Sequence, residues 1–89
     1  FTLMLRAGQA VFDYIESNYP EIKTLYVLAG TGNNGGDAYV VASLALQRGF
    51  QVSVFSSSPT RTLTPDAQQA QQRYVQTGAT INNLEQLKT

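Results

Sequence analysis

The chain has 89 residues, 43% of them hydrophobic, and its six basic and six acidic side chains cancel to a formal net charge of zero. That length supports one small domain and not two. The absence of cysteine and histidine excludes disulfides, thiolate metal sites, cysteine nucleophiles and the commonest general base, and Arg6, Lys23, Arg48, Arg61, Arg73 and Lys88 form no basic run of the kind that binds nucleic acid or an anionic membrane.

The apolar positions Met4, Ala7, Val11 and Ile15 recur at spacings of three and four, which predicts a helix over residues 4–18 with those side chains on its buried face. Tyr19-Pro20 ends it, since a residue before proline is pushed out of the helical region. Residues 24–29 read TLYVLA, a short apolar and β-branched run expected to be a strand buried on both faces, as in a parallel sheet. The glycine-rich stretch 30–36 reads as a loop. A second helix is expected over residues 37–48, with Gly49 as its stop. Gln51 to Phe55 reads as the next strand, which completes a βαβ unit with a right-handed crossover. A polar loop over 56–64 leads to Thr64-Pro65-Asp66, where a capping hydroxyl, a proline and an acid mark a helix start. This third helix is expected to reach Gly78 with Ala67, Ala70 and Tyr74 on its buried side, while the glutamines at 68, 69, 71 and 72 form a solvated face. Residues 79–81 are the expected third strand, and Asn83 the cap of a fourth helix.

The expected fold class is therefore α/β: a Rossmann-like three-layer domain with a parallel sheet. Residues 1–89 would form an N-terminal fragment of it with about three strands. The first strand of a doubly wound sheet is central and takes a neighbour on each side, and only one of those neighbours is visible in the sequence. No apolar stretch is long enough to span a bilayer and no signal peptide is visible. The expectation is a soluble, cytoplasmic protein with a small-molecule substrate and with neither nucleic acid nor membrane as partner. The first residue, Phe1, is not methionine, so the native start is expected elsewhere.

The chemistry lies in Gly30-Thr31-Gly32-Asn33-Asn34-Gly35-Gly36-Asp37, where glycines at 30, 32 and 35 match the G-x-G-x-x-G dinucleotide pattern between a strand and a helix. Glycines let bare backbone approach a ligand, and free N–H groups at the helix start favour an anion such as a phosphate. The alternative is a tight turn that binds nothing. Asp37 complicates a simple phosphate cradle, because a carboxylate repels phosphate even as it favours the helix start. Its options are an N-terminal cap, a hydrogen bond to sugar hydroxyls or support for a cation. Asn33 and Asn34 add oxygens suited to hard cations. After the second strand, Ser56, Ser57, Ser58 and Arg61 stand where NAD-binding folds place a ribose-binding acid. They would suit a ribose 2′-phosphate, or form only a polar loop.

The run from Gly32 to Asp37, after an apolar strand and before a helix, resembles the signature of the YjeF N-terminal domain family. Leu3-Met4-Leu5-Arg6-Ala7-Gly8 is similar to the family's opening helix motif and Tyr39-Val40-Val41-Ala42 to its segment after the glycine loop, so the resemblance covers essentially the whole chain. It implies an NAD(P)HX epimerase, an isomerase that interconverts the R and S epimers of hydrated NADH and NADPH in nucleotide repair. In many bacteria the domain is fused to an ADP- or ATP-dependent dehydratase, and the form of the opening motif resembles those fused versions. The resemblance further implies that Asn33, Asn34, Gly35, Gly36 and Asp37 contact the hydrated dinucleotide. Asn34 would be the first ligand of a bound potassium ion (K+).

The family's catalytic aspartate and remaining potassium ligands fall downstream of residue 89, so no catalytic residue is assigned here and this fragment alone is expected to be inactive. Two positions depart from the family: Ala38 stands where glycine is usual, and Thr31 where many members have proline or histidine. A homodimer or larger homo-oligomer is compatible with the resemblance. Two other readings stand beside the epimerase: a non-catalytic scaffold or dimerisation domain of the same type, and an NADP-dependent oxidoreductase suggested by Ser56 to Arg61.

Overall fold

A computed structural model of the chain describes residues 1–30, 32–56 and 63–85, with the backbone alone at residues 32–35. The elements follow the order α1 (Thr2–Asn18), β1 (Thr24–Ala29), α2 (Gly32–Gln47), β2 (Gln51–Ser56), α3 (Pro65–Val75) and β3 (Ile81–Asn83). The strands form one parallel sheet in the order β1-β2-β3. Its register sets Thr24 beside Gln51, Ala29 beside Ser56, and Ser56 beside Asn83. This is the expected α/β arrangement, with β1 at one edge of the sheet among the described residues.

Local chemistry explains where most elements stop. Gly49 and Gly78 adopt positive φ values of 84° and 94°, a conformation that side chains disfavour. Gly49 thus lets the chain reverse after α2, and the Phe50 N–H returns to the Ala45 carbonyl at 3.0 Å. At the start of α3 the backbone of Thr64 is extended, and its hydroxyl accepts a 3.3 Å hydrogen bond from the Ala67 N–H. Pro65 then takes the first position and Asp66 the first turn, as expected. The helix ends at Val75, short of the expected Gly78. There the N–H groups of Thr77 and Gly78 shift to carbonyls three residues back, and the Thr77 hydroxyl donates to the Tyr74 carbonyl at 2.6 Å. β3 begins two residues later than expected, because pairing starts only where Ile81 meets Val54. The Asn82 side-chain amide then donates to the Val54 carbonyl at 3.3 Å. The Asn83 side chain accepts from the Glu85 N–H at 2.9 Å, and the fourth helix expected after it falls beyond Glu85, outside the described residues.

The core sits between the helices and one face of the sheet. Met4, Ala29, Tyr39, Val40, Ala42, Val54, Leu63, Ala67, Ala70 and Tyr74 form one cluster, and Phe12, Ala45 and Phe50 a second. The Phe12 and Phe50 rings meet edge to face at 5.4 Å between centroids. The three expected positions of α3, Ala67, Ala70 and Tyr74, are all buried.

Two expectations about burial require correction. The buried line of α1 is Met4, Gly8 and Phe12, whereas Ala7 is exposed and Val11 is 50% exposed. The cause is Gly8: a Cβ there would overlap the side chain of Val40, so α1 turns its glycine into α2 and rotates Ala7 and Val11 outward. β1 is not buried on both faces. Its exposure alternates: Leu25, Val27 and Ala29 turn to the helices, while Tyr26 and Leu28 remain 67% and 62% exposed. The helices described here pack on one face only, and on the other the Tyr26 ring meets the Phe55 ring at 5.7 Å.

Candidate nucleotide-binding edge

Parallel strands deliver all their C-terminal ends to one edge of the sheet, and here Ala29, Ser56 and Asn83 lie side by side along it. In open α/β sheets this is the edge where ligands bind. The starts of all three helices also gather there. Met4 near the start of α1 lies against Gly36 of α2, with Ala67 of α3 beside it, and the backbone nitrogen of Phe1 lies 3.0 Å from the Asp66 carboxylate.

The second helix begins earlier than its sequence indicated. Only Gly30 and residue 31 separate β1 from α2, and Gly32, Asn33, Asn34, Gly35 and Gly36 are helical. Each glycine disfavours a helix by about 1 kcal/mol relative to alanine, which is why this stretch reads as a loop. The consequence for ligand binding is specific. The first four N–H groups of a helix lack internal partners, and in α2 they belong to Gly32, Asn33, Asn34 and Gly35. Together with the positive end of the helix dipole, they form a donor set facing the sheet edge that suits an anion.

Asp37 is consequently not a cap. It stands beyond the first turn, which contains no acid, and it is partly buried. It borders an open depression of about 320 Å³ with Leu3, Met4, Ala7 and Asp66. On its other side runs an apolar groove between α1, β1 and α2, lined by Val11, Ile15, Leu25, Tyr26, Leu28 and Val41 among others. Ala38 lines that groove and packs against the main core, so its methyl group is taken up by packing.

Gly36 is buried, and its missing side chain makes room for Met4 rather than for solvent. The side chains of Asn33 and Asn34 fall outside the described residues, as do Ser57, Ser58 and Arg61. Ser56 is buried at the end of β2 with 3% exposure. No cluster of three acidic side chains that would hold a metal occurs among the described residues. Sequence reasoning missed the parts of this edge that come from α1 and from the start of α3. Gly8, one turn after Met4, is the available signal, since a glycine inside a helix marks a close approach.

Buried beside this edge, Tyr39 and Tyr74 are each 1% exposed, with ring centroids 6.0 Å apart. The Tyr39 hydroxyl accepts from the Gln71 side-chain amide at 3.2 Å. Burial, and secondarily the neighbouring Tyr39, raises the Tyr74 pKa above the ordinary tyrosine value. The pair ties α3 to α2 just behind the glycine-rich turn.

A parallel sheet with helices between its strands and a glycine-rich strand-to-helix turn at its C-terminal edge defines an α/β protein. The chain belongs to the family described as YjeF-related protein N-terminus, whose model matches residues 1–89. It is 40% identical over 82 residues to the bifunctional NAD(P)H-hydrate repair enzyme of Escherichia coli (strain K12), covering 92% of this chain and 16% of that protein. It is 41% identical over 76 residues to the NAD(P)H-hydrate epimerase of Bordetella pertussis (strain Tohama I), covering 85% of this chain and 33% of that one. A crystal structure of the yeast protein YNL200c superimposes with a TM-score of 0.79 at 26% identity, over 96% of this chain and 38% of the yeast chain. The chain thus spans a third or less of the length of these two curated relatives. No described helix is long and apolar enough to cross a membrane.

Proposed function

We propose that the protein is an NAD(P)H-hydrate epimerase, interconverting the R and S epimers of NADHX and NADPHX, and that residues 1–89 supply the part that holds the dinucleotide. The observation that carries this reading is the start of α2. A glycine-rich helical turn brings the first amides of a helix to the C-terminal edge of a parallel sheet, in a chain about 40% identical to proteins named for NAD(P)H-hydrate repair or epimerisation. Anionic phosphate would sit against the amides of Gly32, Asn33, Asn34 and Gly35. Asp37, one turn further on, would lie nearer the sugar hydroxyls than the phosphate, where its charge is useful rather than repulsive. Asn34 would give its side-chain oxygen to a potassium ion, which a neutral carbonyl suits. Gly36 would let the turn pack closely enough to present these groups.

Epimerisation at the hydrated ring carbon requires an acid–base group to move protons there. That group is assigned outside residues 1–89, whose part is to bind and orient the substrate. The 89-residue chain alone is therefore inactive on this reading, and measurable turnover by it would contradict that. A cytoplasmic location and a homodimer or larger homo-oligomer belong to the same proposal. The experiment incubates purified R and S epimers of NADPHX with the complete gene product and potassium, following them by chromatography. Interconversion faster than the spontaneous rate, lost in Asn34→Ala or Asp37→Ala, supports the reading. Interconversion at the spontaneous rate points to a scaffold, and tight binding of unmodified NADPH with hydride transfer to an oxidoreductase.

A further inference from the structure

A helix that opens Gly-Asn-Asn-Gly-Gly has little intrinsic reason to form, because glycine and asparagine both favour other conformations. Yet α2 is helical from Gly32. Tertiary contact must supply what propensity does not, and the structure shows where it comes from. A Cβ built on Gly36 would lie 2.5 Å from Met4 Cε, 2.6 Å from Met4 Sδ and 3.0 Å from the Ala67 Cα. Met4 itself is 6% exposed. Its thioether end therefore occupies the place where any other residue at position 36 would carry its side chain. It bears directly on backbone one turn after the first amides of α2. Ala67 closes the contact from α3, whose start is fixed by the Thr64 cap.

We propose that Met4 is a positioning residue for the nucleotide-binding turn. By seating on Gly36 it holds the first turn of α2 in helical form, and so keeps the amides of Gly32 to Gly35 aimed at the sheet edge before any ligand arrives. Phe12 provides the internal comparison. It belongs to the same helix and the same buried line, but it packs on Phe50 and Ala45 at the far end of α2. The two residues share a structural duty and differ in whether they touch the turn. The inference rests on the proposed dinucleotide site for its functional half only, because the order of the turn can be measured without a ligand.

The test compares Met4→Ala, Met4→Leu, Gly36→Ala and Phe12→Leu. In the ligand-free complete gene product, amide hydrogen exchange at residues 33–38 is expected to rise about tenfold or more over the β2 amides in Met4→Ala. Gly36→Ala presses on the same contact from the other side and should give the same local pattern. Met4→Leu, close in volume, should restore wild-type exchange, and Phe12→Leu should loosen the sheet and the end of α2 without singling out the turn. In the complete gene product, Met4→Ala is expected to raise KM for NADPHX about tenfold and leave kcat within about threefold, as loss of preorganised binding does. Phe12→Leu should leave KM unchanged. Exchange that rises uniformly along the chain in Met4→Ala, or not at all at residues 33–38, would overturn the proposal, as would a KM shift shared by Phe12→Leu. If the exchange pattern appears but the complete protein does not turn over NADPHX, the epimerase reading fails while the positioning role of Met4 stands.

Discussion

The two faces of the sheet carry similar side chains and meet different surroundings. On the helix side, Val54 is fully buried, and Tyr39, Tyr74 and Phe12 are sealed behind it with at most 1% exposure. On the opposite side Tyr26 and Leu28, drawn from the same apolar run, are 67% and 62% exposed. Residue type alone does not decide burial; a residue is buried when some other element supplies the surface to bury it against. Here α1, α2 and α3 supply that surface for one face. The exposed Tyr26 and Leu28 lie, by contrast, on a face that no helix among the described residues covers.

Mutations at the two faces should therefore differ sharply in chemical denaturation of the chain. Phe12→Ala removes a fully buried ring that contacts Phe50, and is expected to lower stability by about 3–5 kcal/mol. Tyr26→Ser, a comparable loss of aromatic area on the open face, should change stability by no more than about 0.5 kcal/mol. A loss above about 2 kcal/mol for Tyr26→Ser, growing with protein concentration, would break the comparison by showing that a second copy covers that face in solution.

Alkaline pH probes the buried side from another direction. The Tyr74 pKa is raised by burial and by Tyr39, so the folded state holds the phenol proton more tightly than the unfolded chain. That contribution is complete below the unfolded value of 10.0 and is lost as pH rises from there through the folded pKa. Stability measured against pH should fall over that window in the wild type, and less steeply in Tyr74→Phe.

Smaller effects sharpen the account of the helix layer. Thr64→Ala removes the α3 cap and should lower stability by about 1 kcal/mol. Ser43→Ala should act in the other direction. The Ser43 hydroxyl is buried without a hydrogen-bond partner among the described residues, so its removal is expected to raise stability by about 0.5–1 kcal/mol. A loss on Ser43→Ala would show that the hydroxyl is satisfied in solution.

Much of this fold was legible from residues whose reasons are local. Thr64-Pro65-Asp66 announced α3 because capping chemistry acts within one turn, and the span of β1 followed from an apolar run bounded by turn residues. What escaped depends on distant contacts. The face of α1 was misplaced because Gly8, not an apolar side chain, marks its closest approach to α2. The start of α2 was placed five residues late because glycine propensity argues for a loop, and Met4 on another helix overrules it. Asp37 lost its capping role for the same reason. At the candidate site, the family resemblance offered the residues from Asn33 to Asp37 as candidates, but not the helix ends that surround them. Those were invisible because Met4 and Asp66 are far from the motif in sequence and adjacent to it only once the sheet is parallel.

The central claim is that the first turn of α2 receives the dinucleotide. It is tested most directly by titrating the isotopically labelled complete gene product with NADPHX and following backbone amide resonances. The account predicts that the largest shifts fall on the amides of residues 32–37, with a lesser response near Asp66 across the depression. Shifts concentrated on Tyr26, Leu28 and Phe55 instead, with residues 32–37 unmoved, would place the ligand on the open face of the sheet and contradict it.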